Sequence, residues 1–600
     1  MRIPMCGICG ELRFDGALPG LAAIARMSEK LARRGPDHAG TFTDGPLAFG
    51  HRRLAIIDLS ASADQPMVDR ALQLTLVFNG TIYNYRELRA ELVALGYAFF
   101  SESDSEVILK AYHAWGDACV QRFYGMFAFA VWDMRRARLF LARDRLGIKP
   151  LYLARDERRL RFASSVQALL AGGGIDTRLD PIALHHHFTL HAVVPAPRTV
   201  LSGVRKLPPA CTMTLGTDGA ATERAYWTLD ATRVAHPMSE ADWLAATRRV
   251  LTRALERHRL AADVPVGVLL SGGLDSSLLV ALLADHVDDL LTFSIGFEDL
   301  GAGAEKADEF EYSDLIAQHF KTHHRQHLIP NSEVLARLPE AIAAMAEPMV
   351  SHDVIAFYLL AERVSKEVKV ALSGQGADEM FGGYFWYPRM EAEAGPAVER
   401  FRRHYFDRDH AEYLEMITPS YHVPDVTALL VARELAKPQA DTFLDEVWRL
   451  DVTTLIVDDP VKRVDNMPMA WGLEVRVPFL DHELVELAAR MPPELKLREG
   501  GKYPLKAIAR GLIPDAVIDR PKGYFPVPAL KYVRGPFLEL MRGILQSDAC
   551  LRRGLYQRAY VDRLLAEPED EAHFTRIQGS KLWHLAVLEW WLQLNVDGVQ

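Results

Sequence analysis

The chain has 600 residues, too many for one hydrophobic core, so at least two domains are expected. Hydrophobic residues at 49% and charged residues at 25% describe an ordinary globular protein. A net charge of −10 argues against nucleic acid or an anionic membrane as the main partner, because both demand a concentrated basic surface.

The five cysteines, Cys6, Cys9, Cys119, Cys211 and Cys550, are sparse and odd in number, the usage expected in a reducing, cytoplasmic setting. Met1-Arg2-Ile3-Pro4-Met5 has no apolar signal-peptide core. The most apolar late segment, 582–594, is interrupted by His584, Glu589 and Gln593, so no membrane span is expected.

In chain order, the first third reads as strands and turns. Segments 48–57 and 72–80 alternate and are rich in β-formers, with Asn79-Gly80 as a turn signal. Segments 126–132 and 138–144 read as a hairpin, and helices are expected at 85–95 and 105–115. Strands flanked by such helices predict a layered α+β domain. Pro195, Pro197, Pro208, Pro209 and the turn Gly216-Thr217-Asp218-Gly219 mark a connection whose end divides the chain into domains 6–225 and 240–600.

A helix over 243–260 then puts Leu244, Leu251 and Leu255 on one face. Its Arg248, Arg249, Arg253, Arg257 and Arg259 read as a solvated face in so acidic a chain. Strand 290–297, helix 311–320, strand 324–329, helix 354–365 and strand 368–373 follow. That alternation predicts a parallel sheet with ligands at its carboxyl edge. From 391 onward the pattern is helical, closing with Trp583, Val587, Trp590, Trp591 and Leu594 at the spacing of a core face. No internal repeat or low-complexity tract interrupts it.

The strongest motif is Val264-Pro265-Val266-Gly267-Val268-Leu269-Leu270 running into Ser271-Gly272-Gly273-Leu274-Asp275-Ser276-Ser277 and then an apolar helix. Strand, glycine turn and helix make an anion site. The glycines admit a phosphate to the backbone N–H groups, Ser271, Ser276 and Ser277 add hydroxyls, and the helix N-terminus adds positive potential. Asp275 among these donors fits a bound Mg²⁺, which takes hard oxygen ligands. No Gly-Lys-Ser/Thr ends the stretch, so it is not a Walker A loop. It resembles the pyrophosphate-binding loop of the ATP pyrophosphatases, which cleave ATP to AMP and pyrophosphate.

The second motif is Met5-Cys6-Gly7-Ile8-Cys9-Gly10. With residues 1–5 removed, the free α-amine of Cys6, of pKa about 8, can act as general base for its own thiol. Cys6 and Cys9 also read as a C-x-x-C redox or metal pair, but no second pair completes a zinc set. His185, His186 and His187 are consecutive, about 100° apart on a helix, and cannot all meet one ion. His323 and His327 share a face only in a helix, where the pattern reads as a strand. Cys9, Cys119, Cys211 and Cys550 read as buried small hydrophobes.

Cys6-Gly-Ile-Cys-Gly, Arg33-Arg34-Gly35-Pro36-Asp37, Gly50-His51-Arg52-Arg53-Leu54-Ala55-Ile56-Ile57-Asp58, Asn79-Gly80-Thr81-Ile82-Tyr83-Asn84 and Ser103-Asp104-Ser105-Glu106 resemble an N-terminal-nucleophile (class II) glutamine amidotransferase domain. Joined to 271–277 and Ser373-Gly374-Gln375-Gly376-Ala377-Asp378-Glu379, they resemble the glutamine-dependent asparagine synthetase family. The resemblance implies a layered αββα glutaminase followed by an α/β ATP-pyrophosphatase domain with a parallel sheet and a helical C-terminal part.

It also implies roles. Cys6 attacks the glutamine amide, and Asn79 with the Gly80 N–H holds the oxyanion. Arg53 clamps the glutamine carboxylate, Asp104 takes its ammonium, and Leu54, Ile56, Ile57 and Thr81 complete the glutamine site. Leu269, Ser271, Gly272, Gly273, Ser276, Ile295, Ser373 and Gly374 hold ATP, while Asp275 and Asp378 hold Mg²⁺ on the pyrophosphate. Lys522 in Arg520-Pro521-Lys522-Gly523-Tyr524-Phe525 meets the α-phosphate. Ammonia passes between the two sites without entering bulk water, where it would be protonated, and the resemblance permits a homodimer.

Two positions depart from the asparagine synthetase pattern. Thr81 stands where a Glu follows Asn-Gly, and Gln375 stands where a Glu is credited with taking a proton from ammonia, which an amide cannot do. With 455–460 and 464–481, the whole pattern resembles most the N-acetylglutaminylglutamine amidotransferase branch, bacterial enzymes that amidate an acetylated dipeptide used as an osmoprotectant. The alternatives are an asparagine synthetase acting on L-aspartate, a tRNA-modifying ATP pyrophosphatase, disfavoured by Cys6 and the acidic total, and a catalytically dead regulatory homologue.

Overall fold

Alternation within the first strand already separates two cores. In Gly7–Arg13, Ile8 and Leu12 face one cluster and Cys9 another, because successive side chains of a strand point to opposite faces. The computed structural model to which this strand belongs describes residues 6–35, 37–298, 309–520, 528–531 and 533–598. Ile8 and Leu12 join Phe49, Val77, Trp132 and Leu141 between two antiparallel sheets of six strands each. The first sheet runs Arg205–Lys206, Tyr152–Arg155, Arg159–Ala163, Gly7–Arg13, Leu47–Arg53, His38–Asp44; the second runs Ala221–Ala225, Cys211–Gly216, Arg138–Arg143, Gly125–Asp133, Leu74–Ile82, Met67–Asp69. Helices Leu21–Lys30 and Val166–Gly172 pack on the first sheet, and Asp104–Trp115, backed by Tyr85–Ala94, packs on the second. The result is the expected αββα layering.

Two local expectations are corrected. Asn79-Gly80 is not a turn but lies inside Leu74–Ile82, with Asn79 opposite Ala128 and Gly80 opposite Phe127. A Cβ at Gly80 would come within 2.1 Å of the Met126 carbonyl oxygen, so only glycine fits the register there. The strand expected over 48–57 ends at Arg53, and residues 54–57 leave the sheet.

The second half forms a five-stranded parallel sheet in the order His323–Ile329, Leu291–Phe297, Val266–Leu269, Val370–Leu372, Glu474–Arg476. Strand order reverses at Val266–Leu269, and the crevice beyond its carboxyl end is where such sheets take ligands. The connections that follow Val266–Leu269 and Val370–Leu372 are 270–273 and 373–376, which puts both predicted loops at that crevice.

The Arg248, Arg249 and Arg253 side chains are exposed, and Arg253 and Arg257 pair with Glu483 at 3.0 and 2.5 Å. The closing helix Lys581–Leu592 is buried on every face. Its Trp583 and Trp591 donate their indole N–H groups to the carbonyls of Val350 and Met345 at 2.9 and 2.7 Å. Cys9, Cys119, Cys211 and Cys550 are buried free thiols, and no helix among the described residues is long and apolar enough to cross a membrane.

The two halves meet through buried charges. Lys206, 2% exposed, donates to Glu347 at 3.1 Å and Asp458 at 2.7 Å. Arg34 and Lys149 share the Asp465 carboxylate at 2.9 and 3.0 Å. Removing one partner of such a set strands the others in a medium that cannot solvate them. Lys206→Met is therefore expected to cost about 3–5 kcal/mol, measured as a lower urea midpoint at unchanged denaturant slope.

Candidate active site

Cys6 precedes the first strand and faces a small cavity of about 30 Å³. Arg53, Leu54, Ile56, Ile57, Asn79, Gly80, Thr81 and Asp104 line it with Cys6, so all the expected glutamine-site residues converge. The departure of residues 54–57 from the sheet brings Leu54, Ile56 and Ile57 to its wall.

The Leu54 N–H donates to the Cys6 sulfur at 3.3 Å. Burial pushes the thiol up to about 11, against the Leu54 backbone and the Arg53 charge, so at neutral pH it stays protonated unless a base takes its proton. Asn79 is fully buried, and neither its amide nitrogen nor its amide oxygen has a partner. A buried amide left this way is costly, which marks it as a group kept for a ligand.

Arg53 spends its terminal nitrogens on the Ser60 carbonyl at 2.8 Å, the Asp64 carboxylate at 2.6 Å and the Asp58 carbonyl. Asp104 opens helix Asp104–Trp115, with Ser103 as N-cap, and accepts the Ile82 N–H at 3.0 Å. Burial, reinforced by the Glu474 charge and opposed by that N–H, pushes its carboxyl up to about 7.

Glu474 was missed by sequence reasoning. It comes from the last strand of the parallel sheet yet lines the Cys6 cavity. Thr81 donates its hydroxyl to Glu474 at 3.0 Å, and Arg476 holds the same carboxylate oxygen at 2.7 Å. A carboxylate thus stands beside Thr81 although position 81 itself carries none. The separation of 393 residues left no local signal for it.

The second cavity is a cleft of about 820 Å³ at the crevice of the parallel sheet. Leu269, Ser271, Gly273, Asp275, Ser276, Ile295, Ser373, Gly374 and Asp378 line it as expected. Gly272 does not. It has φ +74° and packs on the next helix, where a Cβ would lie 2.6 Å from the Ser313 nitrogen. Ser277 is buried outside the lining. The Ser271 and Ser276 hydroxyls lie 3.1 Å apart, and a Cβ on Gly374 would be 3.0 Å from that of Asp275, so the two loops pack directly together.

Asp275 and Asp378 converge on one cation, the Lys502 ammonium, at 2.6 and 2.8 Å. Two carboxylates able to share a cation are a donor set that fits Mg²⁺. Lys502 was also missed. Its signal is the Gly500-Gly501 pair just before Tyr503-Pro504, and in the structure the four residues from Glu499 to Lys502 have positive φ ahead of a proline-started helix. Arg463, Lys506, Arg510 and Arg520 also line the cleft and favour a polyanion. Gln375 lines it too, and its side-chain oxygen accepts from Arg463 at 3.4 Å. Lys522 lies outside the described residues.

Of the three consecutive histidines, His185 and His186 converge on the Thr427 hydroxyl, at 2.6 and 2.9 Å, while neither ring nitrogen of His187 has a partner, so the three do not share one point.

A cysteine cavity on an αββα layer and an anion cleft on a parallel sheet define a two-site amidotransferase architecture. Residues 246–593 match the asparagine synthase family, and residues 5–227 match a glutamine amidotransferase domain. The chain belongs to the glutamine-hydrolysing asparagine synthetase family of amide-forming ligases. It is 34% identical to the putative glutamine-hydrolyzing asparagine synthetase of Mycobacterium bovis, across 98% of both chains. With glutamine-hydrolyzing asparagine synthetase 1 of Bacillus subtilis it shares 30% identity, over 96% of this chain and 94% of the other. Amidase chry2 of Gibberella zeae is 27% identical over 96% of each.

An ammonium is held by a carboxylate and not by a carboxylic acid. KM for glutamine is therefore expected to climb as pH falls through about 7, the value to which Asp104 is raised. Glutaminase assays across pH check this, and Asp104→Asn should raise KM and flatten that limb of the profile.

Proposed function

We propose that the chain is a glutamine-dependent amidotransferase that adenylates a carboxylate at the expense of ATP, giving AMP and pyrophosphate, and amidates it with ammonia from glutamine. The observation that carries this is the pairing on one chain of the unpartnered Asn79 amide beside Cys6 with two carboxylates converging at an anion cleft. The acceptor we infer is N-acetylglutaminylglutamine, on the strength of Gln375, Thr81 and the overall motif pattern. L-Aspartate is the second reading, favoured by the names of the relatives. The name of amidase chry2, a relative of the same length class, supports the view that this architecture is not tied to one acceptor.

In the first site, removal of residues 1–5 makes Cys6 the first residue, and its α-amine takes the thiol proton. That base is needed because burial holds the thiol near 11. The thiolate attacks the side-chain carbonyl carbon of glutamine, and the developing oxyanion accepts hydrogen bonds from the Asn79 amide and the Gly80 N–H. The C–N bond breaks, ammonia leaves with a proton returned by the amine, and water hydrolyses the glutamyl thioester to glutamate. Arg53 holds the substrate carboxylate by exchanging part of its present bonding to Asp58, Ser60 and Asp64. Asp104 takes the ammonium.

In the second site ATP lies against Leu269 and Ile295, with its pyrophosphate on Ser271, Gly273 and Ser276. Mg²⁺ held by Asp275 and Asp378 would supply charge neutralisation to that pyrophosphate. The acceptor carboxylate oxygen attacks the α-phosphorus, the bond to the bridging oxygen breaks, and pyrophosphate departs. Lys522, by family resemblance, meets the α-phosphate. Ammonia then attacks the acyl carbon, AMP leaves, and the nitrogen loses one proton. Gln375 cannot take that proton and serves as a hydrogen-bonding group.

Cys6→Ala is expected to abolish glutamine-supported AMP formation while ammonium chloride still supports it, and Asp275→Asn to abolish both. Glutamine hydrolysis surviving in the alanine variant would sink the Cys6 assignment. N-terminal mass spectrometry of the active enzyme is expected to find Cys6 first. AMP release is expected with N-acetylglutaminylglutamine and not with L-aspartate; the reverse result would make the chain an asparagine synthetase.

A further inference from the structure

A second chamber, of about 190 Å³, adjoins the ATP cleft. Asp353, Tyr384 and Arg463 line both cavities, so they form the doorway between them. By the share of liquid volume a water takes, the chamber has room for about six waters, space that a free aspartate seated in the cleft has no need of.

Its far wall is built with unusual care. His191 and Gln578 both line it with left-handed backbones, φ +54° and +68°, conformations non-glycine residues adopt where the surroundings over-determine them. The His191 ring is fixed by Asp407, whose carboxylate oxygen lies 3.1 Å from Nδ1 and 3.5 Å from the Nδ1 of buried His584. That commits Nδ1 and leaves Nε2 as the ring's remaining hydrogen-bonding atom. Gly579 sits against the same pair, where a Cβ would be 3.0 Å from His584 Nε2 and 3.3 Å from His191 Cε1. A π-helical turn at Asp451–Leu455 brings Asp451 and Leu455 to another side, a distortion that recurs at functional sites.

Some polar atoms on the wall have no partner within the protein. Arg463 is 5% exposed; it donates to the Ser351 hydroxyl at 2.8 Å, to Gln375 at 3.4 Å and to the Asp459 carboxylate at 3.4 Å, with the Asp353 carboxylate 3.7 Å away, while its Nε has no partner. The His352 Nε2, also on the chamber wall, has none either. Trp386 and Tyr405 add aromatic surface. The Asp353 and Asp459 carboxylates on the wall face Arg463 at 3.7 and 3.4 Å, and the unpartnered ring and guanidinium nitrogens and aromatic faces that remain match amide groups.

We propose that this chamber is the tail subsite of the acceptor: the reacting carboxylate sits on the cleft side of Arg463 beside Gln375, and an uncharged N-acylated peptide tail passes Arg463 and ends against His191. This rests on reading the second domain as a carboxylate-adenylating site. It assigns Gln375 a use, since an amide can donate to and accept from a peptide group at once.

The test measures KM and kcat for N-acetylglutaminylglutamine, N-acetylglutamine and L-aspartate in the parent enzyme, His191→Ala and Ile577→Trp, the tryptophan filling the chamber from its rim. Thermal unfolding midpoints near that of the parent certify the folds, and titration calorimetry of each acceptor reads binding apart from turnover. The expected result is a KM for the dipeptide raised about tenfold or more at nearly unchanged kcat, with calorimetric affinity falling in step. Turnover of the dipeptide with KM unmoved in both variants overturns the subsite and leaves the proposed function standing. Use of a different N-acylated acceptor, sensitive to Ile577→Trp, overturns the acceptor named above and upholds the subsite. Aspartate as sole ligand and substrate overturns both.

Discussion

The cost of leaving a charge alone in the interior governs how the two halves of this chain fit. Arg34, Lys149 and Lys206 come from the glutaminase side and Glu347, Asp458, Asp465 and Glu474 from the synthetase side, all of them buried. Neither set tolerates separation, because each ion unpaired in the interior costs several kcal/mol, more than any surface contact returns. The pairs add less to stability than their number suggests, since desolvation offsets much of the attraction. What they add is register: cations meet carboxylates in one relative placement, and the Cys6 cavity and ATP cleft are held in a fixed relation.

That relation matters for a reactive, volatile intermediate. Under the proposed function, ammonia has to reach an acyl carbon before water protonates it, and a fixed placement of the two cavities serves that need. The strand Glu474–Arg476 is one physical link between them. Glu474 stands in the cysteine cavity, and the Arg476 carbonyl accepts the N–H of Ser373, whose side lines the ATP cleft. One three-residue strand therefore touches the walls of both cavities.

Much of this was legible in the sequence where the signal was local. The parallel sheet followed from strand–helix alternation, and the loop at 271–276 from glycines and hydroxyls between an apolar strand and an apolar helix. Failure came where a residue's role contradicts its local preference. Asn79-Gly80 is a turn by propensity, yet it lies mid-strand, paired with Ala128 and Phe127, where the neighbouring carbonyl leaves no room for a Cβ. Glu474, Lys502 and the chamber behind Arg463 escaped for another reason. Each is assembled from segments far apart in the chain, and no periodicity encodes which of 79 acidic or 69 basic residues will meet.

The loan of Glu474 across the domain boundary bears on modularity. Amidotransferase layers of this kind look like interchangeable cassettes, a nitrogen supply that fusion could attach to any acceptor-activating partner. Here the cassette is missing a wall. Transplanted onto another synthetase it would present Thr81 to an empty corner, and the new host would have to offer a carboxylate at the same place. Exchanging the halves of this protein would therefore require a partner that supplies this strand, which makes a three-residue segment of one domain a design constraint on the other.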